Sequence, residues 1–224
     1  MGTRREVAFD VACLGRRDLF LLRPGVAFMN HGSFGACPKE VFQAYQNWQL
    51  ELEREPVSFI QRSSRELLGE ARASLGKEIG AAPEDVVYVT NVTMGMNIVA
   101  RSLRLDAEDQ VLTTDLEYGA VDNTWDAACE RQGAECVRRA VPIACGSQEE
   151  IVEAIWSGVT ERTRVLSVSH ITSATAIRLP VEELVRRARD AGIIAVVDGA
   201  HAAGQIPLDM TSLGADYYLG SCHK

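Results

Sequence analysis

Two residues in the last part of the chain have the types and positions that covalent amine chemistry requires. Asp198 closes the apolar run within "IIAVVDGAH". Lys224 is the last residue of "SCHK", which directly follows the segment "GADYYLG". A carboxylate at the end of a buried strand is desolvated and needs a partner, such as a cationic ligand atom or a metal ion. A lysine amine beside an apolar strand can act as a nucleophile once it is neutral.

Asp198 also has a plainer structural interpretation, and Lys224 must be compared with the other lysines of the chain. Asp198 could cap a short helix at "GAHAAG", because aspartate is an ordinary N-cap residue. The other lysines, Lys39 and Lys77, lie in polar positions of helical patterns near the amino terminus, and we interpret them as solvated surface charges. Lys224 is therefore the lysine that we expect to act chemically.

Two earlier segments place possible ligand-binding groups directly after apolar runs. Thr93, Met94 and Gly95 follow "VVYVT", and a hydroxyl group with backbone N–H groups at a helix start suits a phosphate. The plainer interpretation is an N-capping threonine. Tyr118 follows "DQVLTT", where its ring could stack on a flat ligand or simply cover the start of the next helix.

A third segment, "HITSAT", follows the apolar run "RVLSVS" and contains His170, Ser173 and further hydroxyl groups. Such a loop is ordinary for turns, but its donors can also face a phenolic oxygen. A phosphate site, a stacking ring, an acid and a lysine together describe a site for pyridoxal 5′-phosphate (PLP), in which the acid keeps the ring nitrogen protonated. A metal hydrolase built on Asp198, His170, His201 or His223 is an alternative, but these spacings match no metal motif, and we predict no metal site.

Alternating strand and helix patterns must position these residues. From about residue 84 onward, strands are predicted at "VVYVT", "DQVLTT", "AECVRRA", "RVLSVS", "IIAVVDGAH" and "GADYYLGS", with helices between them. Ser147 and Pro180 are predicted to begin helices, and Gly133 and Gly192 to end them. The alternation predicts an α/β fold with a mostly parallel, doubly wound sheet and helices on both faces. In such a sheet ligands bind outside the carboxyl ends of the strands.

The part before the sheet is predicted to be helical. Two long helical patterns, at about residues 38–55 and 59–79, are separated by Pro56 and preceded by the loop "MNHGSFGACP". We expect an N-terminal arm and helices over residues 1–83 and an α/β PLP-binding domain over residues 84–224.

The chain resembles the class V aminotransferase family of PLP-dependent enzymes, of fold type I, and within it the isopenicillin-N-epimerase-like branch. Six segments carry the resemblance in order: "NHGSFGACP", "ELEREPVSF", "LTTDLEYGAVDNTW", "VSHITSATA", "VDGAHAAGQIPLDM" and "LGADYYLGSCHK". The resemblance runs from about Phe28 to Lys224. It implies the large domain of fold type I, PLP as the cofactor, and a homodimer.

The resemblance also implies a role for each matching position. Lys224 matches the Schiff-base lysine that later moves the α-proton, and Asp198 matches the acid on the pyridine nitrogen. Tyr118 falls where the family places the ring-stacking side chain. The resemblance implies further cofactor-binding residues. Thr93, Met94 and Gly95 would contact the phosphate, as would Ser221 and His223, and Ser173 and His201 would lie near the phenolic oxygen. The substrate is approached by the loop that contains Asn30, His31 and Gly32.

Family members continue past the lysine into a closing strand, a small domain and usually an arginine that binds the substrate carboxylate. We therefore expect a chain truncated at its C-terminus, at the Schiff-base lysine. The first functional hypothesis is a PLP-dependent enzyme, epimerase-like, acting on an amino acid or an amino-acid-derived substrate. The alternatives are an aminotransferase, a C–S lyase or cysteine-desulfurase-like enzyme, and a truncated non-catalytic fragment. Ser173 replaces an asparagine of the desulfurase-like members, which speaks mildly against that activity.

Composition excludes several other classes of protein. Lys and Arg number 23 against 31 Asp and Glu, so the net charge of −8 argues against a nucleic-acid binder. No apolar run approaches the roughly 20 residues that span a bilayer, and the first residues do not resemble a signal peptide. The six cysteines are irregularly spaced, so we expect reduced thiols in a cytoplasmic protein.

Overall fold

The computed structural model describes residues 16–144 and 146–224. The chain divides into two compact units, one formed by the residues up to Glu66 together with His223–Lys224, and the other by Leu67–Cys222. The predictions about the amino-terminal residues before Arg16, which include the absence of a signal peptide, lie outside the described residues, as do the thiols of Cys13 and Cys145. The described cysteines, Cys37, Cys129, Cys136 and Cys222, carry free thiols as expected.

The first unit is mainly helical within its described residues. It contains α1 (His31–Phe34), α2 (Lys39–Arg54), α3 (Pro56–Ser58), a π-helical turn at Phe59–Ser63 and the first residues of α4 (Ser64–Ile79). Pro56 is the first residue of α3, a position where its missing N–H group has no helical acceptor to lose. The two long helices and the break at Pro56 are therefore confirmed.

The second unit is an α/β sandwich around one parallel sheet. Its strands are β1 (Gln110–Thr114), β2 (Glu135–Arg139), β3 (Thr163–Ser169), β4 (Ile194–Gly199) and β5 (Tyr217–Gly220). Its helices after α4 are α5 (Val92–Ser102), α6 (Gly119–Gln132), α7 (Gln148–Trp156), α8 (Val181–Asp190) and α9 (Met210–Leu213). Within the described residues the strand order is β2-β1-β3-β4-β5, and each neighbouring pair is parallel.

Helices cover both faces of this sheet, as a doubly wound fold requires. Successive strand residues point to opposite faces, so Val111 and Leu112 of β1 enter two different apolar clusters. The cluster on one face contains Val111, Val165 and Val196 with residues of α5 and α6. The cluster on the other face contains Leu112, Leu166 and Val197 with residues of α7 and α8. Buried on both sides, the strands are nearly continuous apolar runs.

The order of the strands reverses between β1 and β3. From β1 the chain passes through α6 to β2 at one side, and then through α7 to β3 on the other side of β1. Such a topological switch point leaves a crevice at the carboxyl ends of the two strands, where ligands bind in open α/β sheets.

Local signals place most helix boundaries correctly. The Ser147 hydroxyl accepts a 3.3 Å hydrogen bond from the N–H of Glu150, and Gly133 ends α6 at a φ of 75°. Pro180 is one position off. It is the N-cap of α8 and Val181 is the first helical residue, because the ψ of 63° at Pro180 is not helical.

The predicted strand "VVYVT" is wrong. Val86 has extended backbone angles, but residues 86–90 belong to none of the strands in the described part of the chain. Val87, Tyr88 and Val89 are exposed. Strand propensity mostly reflects packing against neighbouring strands, and within residues 16–144 and 146–224 no strand pairs with this segment. No helix in residues 16–144 or 146–224 is long and apolar enough to cross a membrane.

Candidate functional site

The carboxyl edge of the sheet in the second unit brings several of the predicted residues together. Ser169 lies opposite Asp198 in the β3–β4 register, and Asp198 lies opposite Leu219 in the β4–β5 register. Leu219 in turn contacts Gly95 near the start of α5. The strand ends and the start of α5 therefore form one continuous edge.

Asp198 is a buried carboxylate at this edge, with only 5% of its surface exposed. Its Oδ1 accepts a 2.9 Å hydrogen bond from the N–H of Ala200. Residues 200–205 form turns and not a helix, so Asp198 does not act as a helix N-cap and that alternative is wrong. His201 is half-buried in the first of these turns.

The start of α5 is capped by a residue that the sequence reasoning did not consider. Asn91 Oδ1 accepts a 2.8 Å hydrogen bond from the N–H of Met94, and the Asn91 carbonyl accepts one of 3.1 Å from Gly95. Thr93 is therefore the second residue of the helix and not its N-cap. Because the first N–H groups of a helix have no partner inside it, an anion here would meet the N–H groups of Val92 and Thr93 with the Thr93 hydroxyl.

Gly95 has a packing reason to be glycine. A Cβ at this position would lie 2.5 Å from Cδ2 of Leu219, so the missing side chain lets α5 pack closely on β5. Met94, beside it, is exposed. The N–H group of Met94 is already bonded to Asn91, so only its exposed side chain is available to contact a ligand.

Two further predicted contacts lie at the same edge. Tyr118 is 52% exposed and immediately precedes α6, so its ring is accessible to a ligand. Ser221 is buried directly after β5. Both positions follow the carboxyl end of a strand.

The loop after β3 uses much of its polar capacity internally. The Thr172 hydroxyl lies 2.7 Å from that of Thr175 and accepts a 2.9 Å hydrogen bond from the N–H of Ile177. Ser173 lies in the exposed part of this loop. His170 is 3% exposed, and its Nδ1 lies 2.9 Å from the Tyr218 hydroxyl. Burial lowers the pKa of His170, so this residue is a neutral core histidine.

The first unit contains the other predicted residues, Asn30, His31, Gly32, His223 and Lys224. Asn30 Oδ1 accepts a 3.3 Å hydrogen bond from Ser33 and so caps α1. The Nδ1 atom of His31 accepts a 3.3 Å hydrogen bond from the N–H of Ala36. His31 and Gly32 lie in the short helix α1, so the predicted loop around the substrate contains one helical turn, and these bonds fix it.

Gly35 lies where this loop meets the last residues of the chain. Its φ is 70°, and a Cβ there would lie 1.6 Å from the His223 carbonyl oxygen and 3.5 Å from Cα of Lys224. Only glycine permits so close an approach of two backbones. The first unit thus brings the predicted substrate loop next to Lys224.

Glu117 is a candidate that the sequence reasoning missed. Its half-buried carboxylate accepts hydrogen bonds from the hydroxyls of Thr114 and Ser169, each 2.6 Å long. Burial raises the pKa of Glu117 to about 7 against the opposing effect of these bonds, and the nearby charge of Asp198 raises it further. The available signal was an acid directly before Tyr118, three residues after the end of β1.

In residues 16–144 and 146–224, no three His, Cys, Asp or Glu side chains are grouped as ligands of a metal ion would be.

The chain matches the aminotransferase class-V family over residues 35–224, and it belongs to that family. The predicted family and the predicted fold type I architecture are confirmed.

Particular relatives agree with this membership. The chain is 38% identical over 208 residues to an isopenicillin N epimerase of Streptomyces clavuligerus, an alignment that covers 93% of this chain and 52% of that protein. It is 34% identical over 215 residues to an L-cysteine desulfhydrase of Arabidopsis thaliana, covering 89% and 47%. The chain therefore spans about half the length of the curated relatives it matches.

A solved structure shares the fold. A variant of C-DES with glycine covalently linked to its PLP cofactor superimposes with a TM-score of 0.82 at 24% sequence identity. The superposition covers 92% of this chain and 55% of that one.

Proposed function

We propose that this chain is the cofactor-binding part of a PLP-dependent enzyme that acts on an amino acid or an amino-acid-derived substrate, in the manner of an epimerase. The observation that carries the proposal is Asp198, a carboxylate buried at the carboxyl end of β4 in a chain of the class V aminotransferase family. A carboxylate at the carboxyl edge of a parallel sheet lies where ligands bind in such folds, and it suits a cationic ligand atom such as the protonated ring nitrogen of PLP.

The residues of the second unit fit the remaining parts of the cofactor. Thr93 and the first N–H groups of α5 would hold the phosphate, with Met94, Gly95 and Ser221 beside it. The exposed ring of Tyr118 would stack on the pyridine ring. Ser173 and His201 would face the phenolic oxygen.

The residues of the first unit supply the covalent attachment and the approach of the substrate. Lys224 would hold the cofactor through its amine and then move a proton at the α carbon of the substrate, and His223 would add a phosphate contact. Asn30, His31 and Gly32, in the loop that contacts Lys224 through Gly35, would approach the substrate. When bound, PLP supplies an electron sink that stabilises negative charge at that α carbon.

The relatives support an amino-acid substrate and leave two chemistries to compare. In an epimerase, the proton that Lys224 or a second group returns to the α carbon arrives on the opposite face. In a C–S lyase, loss of the proton is followed by loss of a β-substituent. The 38% identity with isopenicillin N epimerase favours the first, and the 34% identity with L-cysteine desulfhydrase makes the second the alternative. Aminotransferase activity is a further alternative, which the membership of the aminotransferase class-V family suggests. We further propose a homodimer located in the cytoplasm.

The test of the proposed function is covalent labelling at one lysine. The purified chain is titrated with PLP, its visible absorption is recorded, and the adduct is reduced with borohydride and mapped. The expected label lies on Lys224, is lost in K224A and is retained in the matched variants K39A and K77A. Label spread over all three lysines, or no absorption band, would overturn the proposal and favour a non-catalytic fragment.

Epimerase and lyase chemistry are distinguished by what leaves the substrate. The PLP-loaded chain, without borohydride reduction, is incubated in D₂O with an amino acid, and exchange of the α-proton is followed by NMR. Exchange with inversion and no release of sulfide from L-cysteine supports the epimerase. Release of sulfide from L-cysteine supports the alternative.

A further inference from the structure

Glu117 joins the two strands that flank the topological switch point. The Thr114 hydroxyl at the end of β1 donates a 2.6 Å hydrogen bond to Oε1 of Glu117. The Ser169 hydroxyl at the end of β3 donates one of 2.6 Å to Oε2, and the Ser169 N–H donates one of 3.2 Å to Oε1. Because Tyr118 is the next residue, these bonds fix the backbone that carries its ring.

The charges around Glu117 favour a neutral carboxyl group. Thr114 of β1 and Ser169 of β3 contribute uncharged hydroxyls, and β4 contributes the carboxylate of Asp198 opposite Ser169. The first acid of α6, Asp122, is engaged at 3.1 Å by Arg138. Burial and the charge of Asp198 both disfavour ionised Glu117, and together they raise its pKa to about 7.

We propose that Glu117 is a positioning residue, which clamps the end of β1 to the end of β3, fixes the backbone of Tyr118, and keeps a proton in the folded chain at pH values where the unfolded chain has lost it. The roles of Tyr118 and Asp198 rest on the proposed function, but the clamp and the proton belong to this chain alone. Two carboxylates close together in a poorly solvated site do not both ionise readily. When Glu117 is protonated, its O–H donates to the Ser169 hydroxyl, which turns to accept, while Oε1 still accepts from Thr114 and from the Ser169 N–H, so the strands stay joined.

The proton is tested by the pH dependence of unfolding, in the absence of PLP. The glutamine of an E117Q variant keeps the shape and hydrogen-bonding capacity of a neutral Glu117 but cannot ionise. As the pH rises from 4.5 to 7, the unfolding constant of the wild-type chain should rise relative to E117Q by about tenfold per pH unit, because the folded state retains a proton that the unfolded state has lost. E130Q, at an exposed glutamate of α6, should follow the wild type.

The same experiment has a direct spectroscopic readout. In ¹³C NMR one glutamate carboxyl should titrate near 7, and this resonance should be absent in E117Q. Parallel unfolding profiles for wild type and E117Q, with no carboxyl titrating near 7, would overturn the proposal. These outcomes do not depend on whether the chain binds PLP.

The clamp is tested by PLP affinity. E117A should raise the dissociation constant about fivefold, the factor that corresponds to one lost hydrogen bond, and E117Q should restore it. Equal affinity for wild type and E117A would contradict the clamp. If the wild-type chain bound no PLP, the proposed function would fail. The unfolding profiles would still show whether Glu117 retains a proton in the folded chain.

Discussion

The indole Nε1 of Trp125 donates a 2.8 Å hydrogen bond to the hydroxyl of Ser167, which ties α6 to β3 inside the core. Both side chains are fully buried. Helix α6 begins directly after Tyr118, and Ser167 lies two residues before Ser169, which bonds to Glu117. A core hydrogen bond therefore supports the same two elements that Glu117 joins at the edge of the sheet.

Replacement of Trp125 by phenylalanine should cost about 2 to 4 kcal/mol of the free energy of unfolding. The change leaves the buried Ser167 hydroxyl without its donor and opens a cavity where the larger ring had packed. Chemical denaturation of W125F measures the loss. The matched variant W48F, at a half-exposed tryptophan of α2, should lose little.

A double-mutant cycle separates the hydrogen bond from the packing. S167A alone leaves the indole N–H unpaired, so it should also destabilise the chain, and S167A combined with W125F should cost less than the two changes added together. Strict additivity would show that the bond contributes nothing beyond packing.

A second prediction concerns the charge of Asp198. D198N keeps an oxygen that can accept the hydrogen bond from Ala200, so the fold should survive, but a neutral amide cannot hold a protonated ring nitrogen. PLP affinity should fall by at least about tenfold, the factor that corresponds to 1.4 kcal/mol. In the same variant the pKa of Glu117 should fall, because one of the charges that raises it is gone.

The control for D198N is D209N, at an aspartate that caps α9 through the N–H of Ser212. It should change stability without changing PLP affinity. An unaltered PLP affinity in D198N would show that Asp198 does not bind the cofactor.

The residues that the sequence predicted correctly are those that local chemistry marks. Gly133 and Ser147 are recognisable because a left-handed glycine and a capping serine act on the nearest turn of helix. The buried strand-end position of Asp198 is recognisable because an acid that ends an apolar run is conspicuous in any parallel sheet, and its contact with a cofactor stays a prediction. The fold follows from the alternation of such runs with helices.

The residues that the sequence did not reveal depend on distant partners. Glu117 is defined by Ser169, which is 52 positions away along the chain, and nothing in "TTDLEY" distinguishes it from Asp115. The cap at Asn91 was missed because Thr93 has the same capping ability, and only the backbone decides between them. The strand predicted at "VVYVT" failed because a strand requires a neighbour, which composition cannot supply.

A third prediction concerns Gly35, where a methyl group would strike the backbone carbonyl of His223. G35A should displace His223 and Lys224, seen as large changes in their amide NMR resonances, and should reduce the yield of label on Lys224. G25A is the control, because Gly25 also has a positive φ, of 78°, while no atom lies within 4 Å of the new methyl group. It should cost about 1 kcal/mol from backbone strain alone. Equal behaviour of the two variants would mean that the contact with His223 is not formed.

The last prediction concerns the buried pair of His170 and Tyr218. Y218F retains the ring that packs on Gly199 but removes the hydroxyl that lies 2.9 Å from Nδ1 of His170. The Nε2 atom of His170 is buried without a hydrogen-bond partner in the described residues, so the variant leaves the whole imidazole unsatisfied. The expected cost is about 1 to 3 kcal/mol, measured by denaturation against Y217F, which removes a hydroxyl from the more exposed neighbouring tyrosine.

The pH dependence of this pair has a definite sign. Because burial lowers the pKa of His170 below its ordinary 6.5, the folded chain keeps the ring neutral at a pH where the unfolded chain binds a proton. The stability that this neutral ring contributes is present above pH 6.5 and is lost as the pH falls below that value. H170Q should lack this acid-side loss, whereas Y217F should keep it. A wild-type profile that runs parallel to that of H170Q between pH 5 and 7 would show that His170 accepts a proton as readily in the folded chain as in the unfolded one.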